Sequence, residues 1–203
     1  MFLPYNECEI EEMVRRAQDP VFQEDLQYKI DEVFSDSEQS TLWQCMENKP
    51  DCIQQELDSI IRKNWSSSVP TVLYRGISKK TLKMLDSVGC VGATIKFDRV
   101  MSFSSVFGVA RNFASHNFYG TKQIFCVKNA PFAFNFRETM LDMILAAPSC
   151  EFSGAFPEAT RRSNVRLVSD ECEFMFPIGT TLRVDSVTEE GTYRIWNLSI
   201  IGY

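Results

Sequence analysis

The hydrophobic period changes once along the chain, near residue 68, and that change restricts the fold more than any other feature. Before it, apolar residues recur at helical spacing. Val14, Ala17 and Val21 give a short repeat, and Leu26, Ile30, Val33 and Phe34 a clearer one. Ser35 and Glu38 form a capping-box pattern opening a helix through Leu42, Trp43 and Met46, which Pro50 interrupts. Ile53, Leu57, Ile60 and Ile61 line the next helix, and Ser66–Pro70 reads as a loop closing the helical region.

Beyond it, short alternating or β-branched runs dominate. Strands are expected at 71–74, 93–97, 100–104, 123–128, 132–136, 171–176, 180–187 and 192–201. Helices are expected after Ser78 (Leu82, Met84, Leu85, stopping near Gly89), over 107–118 and over 137–147, with a long loop at 148–164. Helices first and short strands later, without regular alternation, argue an α+β fold. The 203 residues suit one domain, read as a helical region (1–68) followed by a strand-rich core (69–203).

Charge follows the same boundary. Residues 1–70 carry 15 acidic and 6 basic side chains, and residues 71–203 carry 12 and 15. No clustered basic face exists to grip a nucleic-acid backbone, although the second part can hold a small anion. No apolar run approaches the ~18–20 residues that span a bilayer, and the acidic start is neither a secretory nor a transit peptide. The seven cysteines lack C-x-x-C spacing and His116 stands alone, so the thiols are read as reduced and mostly buried, with no metal site. His116 itself reads as a helix-end or surface residue.

Three patterns carry candidate chemistry. Glu171-Cys172-Glu173, read as extended, sets two carboxylates on one face about 6.5–7 Å apart, with Cys172, Phe174 and Phe176 on the other. Cleavage at an anomeric carbon uses such a pair: one carboxylate stabilises the oxocarbenium-like centre while the other handles a proton. Tyr74-Arg75-Gly76 ends a strand in an arginine whose planar fork suits a diphosphate, and the glycine permits close backbone approach. Ser102-Phe103-Ser104 places two hydroxyls on one strand face, where they can orient a carboxylate. Each has an ordinary reading as well: a solvated strand face, a surface arginine, and a strand end with an N-cap for the helix at 107.

Their order is distinctive. The arginine, the S-x-S and the E-x-E, the last followed by Phe176-Pro177-Ile178-Gly179, resemble the arginine–serine–glutamate class of ADP-ribosyltransferases, related to cholera toxin and the clostridial binary toxins. Within that class the chain is similar to the small Mod proteins of T-even bacteriophages. Supporting stretches are Glu38-Gln-Ser, Leu42–Met46, Leu73–Ser78 and Phe134-Asn135, so the resemblance spans nearly the whole chain. One departure is Phe103, where many members carry threonine; that side chain should face away from the site.

The resemblance implies a mixed two-sheet core, with the acidic helices packed beside an NAD cleft and NAD as co-substrate without a metal. Arg75 and Gly76 would bind the NAD phosphates, Ser102 and Ser104 would hold the catalytic glutamate, and Phe134 or Phe136 would stack on nicotinamide. Glu173 would bond the ribose 2′-hydroxyl and stabilise the cation, while Glu171 would deprotonate the nucleophile. Glutamate at that position goes with arginine acceptors, because a guanidinium must lose a proton as the new C–N bond forms. The segment before Glu171, with Phe152, Phe156, Arg161, Arg162 and Arg166, would contact the target or form a plain surface loop. Implied partners are host ribosomal, RNA-binding or transcription proteins, and NAD-capped RNA as a second donor. A monomer acting in the cytoplasm of an infected bacterium, with no membrane partner, is expected. Hydrolysis of NAD and an inactive host-binding factor stand as alternatives.

Overall fold

The structure is a computed structural model describing residues 3–47, 50–79, 81, 90–115, 120–153 and 156–203. Contacts divide the chain into two compact units, one formed by Ile61–Asn135 with Glu173–Tyr203 and the other by Leu3–Ile60 with Phe136–Cys172.

The second of these is helical: α1 (Glu7–Arg16), α2 (Pro20–Asp31), α3 (Asp36–Met46), most of α4 (Pro50–Asn64), α6 (Phe136–Ala146), a 3-10 turn (Ser149–Glu151) and α7 (Pro157–Glu171). Asn6 and Glu9 form a capping box on α1, and Ser35 and Glu38 form the expected one on α3. These reciprocal contacts satisfy N–H groups that a helix start leaves orphaned. Pro50 begins α4, where its missing N–H costs nothing. Ile30 and Phe34 are buried as their spacing predicts, whereas Val21 and Val33 face solvent.

The region expected to be a loop at 148–164 contains most of α7, which runs to Glu171. Its buried face is Arg161, Val165, Val168 and Ser169, a helical period in which two members are polar. Arg161 explains the anomaly. Fully buried, it donates from Nη1 to the Ala17 carbonyl and from Nη2 to the Ala147 carbonyl (2.8 Å), and its guanidinium lies 5.0 Å from the Phe152 ring. Ala17 caps the C-terminus of α1 and Ala147 follows the last residue of α6. The side chain therefore brings positive charge to two helix ends whose carbonyls lack helical partners.

The other unit holds β1 (Val72–Gly76), β2 (Thr94–Lys96), β3 (Met101–Ser104), α5 (Phe107–Phe113), β4 (Lys122–Lys128), β5 (Glu173–Phe176), β6 (Thr181–Glu190) and β7 (Tyr193–Gly202). The α+β expectation holds, and the sheet is mixed: β4 and β7 run parallel and every other pairing is antiparallel. Where two sheets were expected, hydrogen bonds join all seven strands in the order β2-β6-β7-β4-β1-β3-β5. The join between β1 and β3 is narrow, a single registered pair of Tyr74 with Ser104. Leu73, Phe103, Phe125, Phe174, Phe176 and Trp196 contribute to the core on one face.

Other boundaries moved. Only Ala133 and Phe134 of 132–136 bridge to neighbours, and Phe136 already belongs to α6. Helix α5 ends at Phe113, which is exposed, while Ala110 and Ala114 are buried. Ser78 Oγ accepts from the Thr81 N–H (3.3 Å), as a helix N-cap would, but the helix expected over 82–89 lies outside the described residues, as does His116. The cysteines are free thiols, yet only Cys126 and Cys172 are buried, against the expectation that most would be.

Candidate active site

The narrow join between β1 and β3 is where the candidate residues gather. Beyond the Tyr74–Ser104 pair, the Ser102 carbonyl accepts a hydrogen bond of 2.6 Å from Nη1 of Arg75. Arg75 thus ends its strand with the guanidinium tied to the backbone of β3. Burial draws this guanidinium below its ordinary value. The Glu173 carboxylate works against that shift, and the neighbouring positive charge of Arg99 adds to it.

Gly76 also has a packing task that its sequence context does not announce. A Cβ at position 76 would lie 2.3 Å from the Ala110 carbonyl oxygen and 2.5 Å from the Ala114 nitrogen. A close approach that requires glycine is therefore made to the backbone at the C-terminal end of α5. Gly76→Ala should therefore displace α5 or destabilise the unit by at least about 1–3 kcal/mol, since backbone offers no side chain to move aside. Urea unfolding measures it; an unchanged midpoint would contradict the packing argument.

Strand β5 pairs with β3 so that Glu173 lies opposite Ser104, Met175 opposite Ser102, and Phe174 opposite Phe103. Because strand side chains alternate, Ser102, Ser104 and Glu173 share one face while Phe103 and Phe174 enter the core. Phe103 packs edge-on against Phe176 at 5.1 Å, consistent with a middle residue that faces away from the site. Ser104 is buried, and its Oγ also accepts from the Val106 N–H (3.0 Å) ahead of α5. The residue at the N-cap of α5 is Val106, so Ser104 supports the helix start from two residues upstream.

Phe134 braces the other side of β5. Its backbone exchanges hydrogen bonds with Met175 (3.0 and 2.9 Å), and its ring is 1 % exposed. Phe136 is likewise buried. Both side chains pack in the interior of this structure.

The E-x-E motif is not one extended stretch. Glu171 is the last residue of α7, Cys172 adopts a left-handed conformation (φ 44°), and Glu173 begins β5. The same-face strand argument for the two carboxylates therefore fails. The buried Cys172 donates from Sγ to the Ser169 carbonyl (3.0 Å), within the last turn of α7. Glu171 is half-buried, and burial, reinforced by the Asp170 charge, raises its carboxyl above the usual glutamate range.

The arginines of the segment before Glu171 are already engaged. Arg161 is internal, Arg162 pairs with Glu7 (3.0 Å) and Glu11 (2.8 Å), and Arg166 pairs with Glu7. Phe152 is buried, whereas Phe156 is 77 % exposed. Arg99 passed unremarked in the sequence; its position three residues before Ser102 is the only signal that marked it. Among the described residues no group of three or more His, Cys, Asp or Glu side chains could hold a metal ion, and no helix is long and apolar enough to cross a membrane.

The model of the bacteriophage T4 Mod ADP-ribosyltransferase family matches residues 4–203. The chain belongs to the Mod ADP-ribosyltransferase family. It is 33% identical over 208 residues to the NAD–protein ADP-ribosyltransferase modB of Enterobacteria phage T4, covering 97% of this chain and 98% of that one. It is 35% identical over 179 residues to modA of the same phage, covering 86% and 85%. Among solved structures, the ADP-ribosyltransferase Vis, from Vibrio splendidus, superposes with a TM-score of 0.51 at 13% identity, over 98% of this chain and 87% of that one. That likeness is one of fold. In this Mod family member the arginine, the serine pair and Glu173 fall on adjoining strands of one sheet, β1, β3 and β5.

Proposed function

We propose that this chain transfers ADP-ribose from NAD to arginine side chains of host proteins during phage infection, in the cytoplasm of the infected cell. One observation carries the reading: Glu173 sits in register with Ser104, beside a Ser102 whose carbonyl holds the Arg75 guanidinium. An anion-gripping group and a carboxylate are thereby tied to the same short strand, as cleavage of a diphosphate-linked ribosyl bond needs.

In this account Arg75 binds the NAD diphosphate. Ser102 and Ser104 steady the face from which Glu173 meets the 2′-hydroxyl of the nicotinamide ribose. Glu173 stabilises positive charge on the ribose as the C1′–N bond to nicotinamide breaks. The acceptor guanidinium forms the new C1′–N bond, and the proton it sheds passes to Glu171. Nicotinamide leaves neutral, and no metal takes part. The acceptors proposed are ribosomal, RNA-binding or transcription proteins, to which the acidic α1–α3 surface would add electrostatic steering. NAD-capped RNA is a second donor, because the reaction leaves the adenosine end untouched. The chain acts as a monomer.

Agmatine, a small free guanidine, tests the acceptor class against a diamine of similar length. ADP-ribosyl-agmatine with no amine adduct is expected; equal transfer to both would overturn the arginine assignment. The raised Glu171 carboxyl adds a pH dependence. Only its deprotonated form accepts a proton, so transfer should fall as pH drops through a value above the usual glutamate range. Nicotinamide release without acceptor should not follow that step. Parallel pH profiles for the two activities would contradict the role.

A further inference from the structure

Helix α7, which ends in Glu171, is bound to residues 5–17 by three kinds of contact. At its first turns Arg161 caps the carbonyl of Ala17. Midway, Arg162 and Arg166 pair with Glu7 and Glu11 of α1. At its last turn the backbone N–H of Tyr5 donates to Oγ of Ser169 (2.7 Å), a residue with 0% exposure. Residues 161, 162, 165, 166 and 169 follow one another on successive turns of a single helix face, so these contacts set the register of the whole helix against the N-terminal segment.

The final contact has no ordinary structural necessity. Helix C-termini fray, and a buried serine hydroxyl two residues from the end could have bonded back to its own helix. Instead it takes a donor 164 residues away in sequence. Tyr5 is itself held, since its ring lies 4.3 Å from the buried Arg137 guanidinium. None of Arg75, Ser102, Ser104 and Glu173 belongs to this unit.

We propose that residues 5–17 act through α7 as a brace that positions Glu171 for the acceptor, with the Tyr5 N–H to Ser169 Oγ hydrogen bond as the positioning contact. The inference rests on the assignment of Glu171 as the base for the acceptor guanidinium. It separates two activities by residue: NAD cleavage depends on Arg75, Ser102, Ser104 and Glu173, and transfer depends additionally on Glu171 and the segment that braces its helix. Tyr5 and Ser169 are positioning residues, acting only through Glu171.

The test removes the same hydrogen bond from each end. Ser169→Ala deletes the acceptor, Tyr5→Pro deletes the N–H together with the ring over Arg137, and Tyr5→Ala deletes the ring while keeping the N–H. Transfer to agmatine and acceptor-free nicotinamide release are measured for each, with melting temperature as the check on folding. Ser169→Ala and Tyr5→Pro should each lower kcat for transfer about tenfold, leaving KM for NAD and acceptor-free release within about twofold of wild type. The double variant should be no worse than Tyr5→Pro alone, because the hydrogen bond is already absent there, and Tyr5→Ala should keep transfer within about twofold of wild type. Equal loss of both activities, or unchanged transfer, overturns the brace. Glu171→Gln separates the two levels of the claim. Undiminished transfer in that variant overturns the base assignment and the brace with it. Transfer lost there but intact in Ser169→Ala and Tyr5→Pro overturns the brace alone.

Discussion

Glu173→Gln should reduce nicotinamide release and ADP-ribose transfer together, by about a thousandfold, while leaving the melting temperature close to wild type. Removing one preorganised group from a site of developing charge typically costs 10²–10³ in rate, and here the lost group carries the full negative charge. The amide keeps the size of the carboxylate at the start of β5, opposite Ser104, so the strand pairing survives. What disappears is the anion that faces the ribose cation. The same substitution removes the charge that opposes the downward shift of the Arg75 guanidinium, although arginine remains protonated at any working pH. Both activities must fall, because bond breaking precedes the choice of acceptor. Rapid turnover of NAD by this variant, measured as nicotinamide release, would remove Glu173 from the centre of the account.

Arg161→Ala should be the most destabilising single substitution in the helical unit, by about 3–5 kcal/mol. The truncation leaves the Ala147 carbonyl with only a long contact from Gln23 Nε2 (3.4 Å), while Ala17 keeps a bond of 2.7 Å from the same side chain. It also leaves a half-exposed Glu158, 3.7 Å from the lost guanidinium, without its cation, and empties the space beside Phe152. For a chain of this size each kcal/mol lowers the melting temperature by about 2–4 °C, so a fall of about 10 °C is expected. Arg161→Lys should recover little, because one ammonium cannot reproduce a planar fork that reaches two separate helix ends. Thermal unfolding decides it; a shift below about 2 °C in Arg161→Ala would show that the two carbonyls are satisfied without the guanidinium.

The same residue marks where the sequence stopped being legible. The helical character of the first 65 residues could be read from apolar spacing and a capping box, and β3 from alternation, because most of the buried side chains in these elements are apolar. In α7 the buried face includes Arg161 and Ser169. A search for apolar periodicity passes over such a helix and, given its flanking proline, serine and glycine, reads a loop. The misplacement propagated into Glu171-Cys172-Glu173. With no helix ending at Glu171, the triplet looked like a strand, and the left-handed Cys172 carries none of the glycine or asparagine that normally announces such a turn.

Gly76 has a packing role that was hidden in another way. A glycine after a candidate phosphate-binding arginine suggests a ligand, but the tight neighbour is the backbone of α5, and long-range packing of this kind leaves no local signal. Phe134 has a simpler history. Aromatic character suits a nicotinamide and a core equally, and only burial separates the two. By contrast the strands that carry Arg75, Ser102 and Ser104 were legible from their short alternating runs, and pairing of β3 with β5 sets Glu173 opposite Ser104.

The account stands most directly on where ADP-ribose ends up. Wild-type protein and Glu173→Gln are each incubated with labelled NAD and a bacterial lysate, and the labelled proteins are mapped by mass spectrometry to the modified side chain. The account predicts ADP-ribose on arginine residues of bacterial proteins, released nicotinamide in matching amount, and neither product with Glu173→Gln. Label on side chains other than arginine, or nicotinamide release accompanied only by free ADP-ribose, would contradict it.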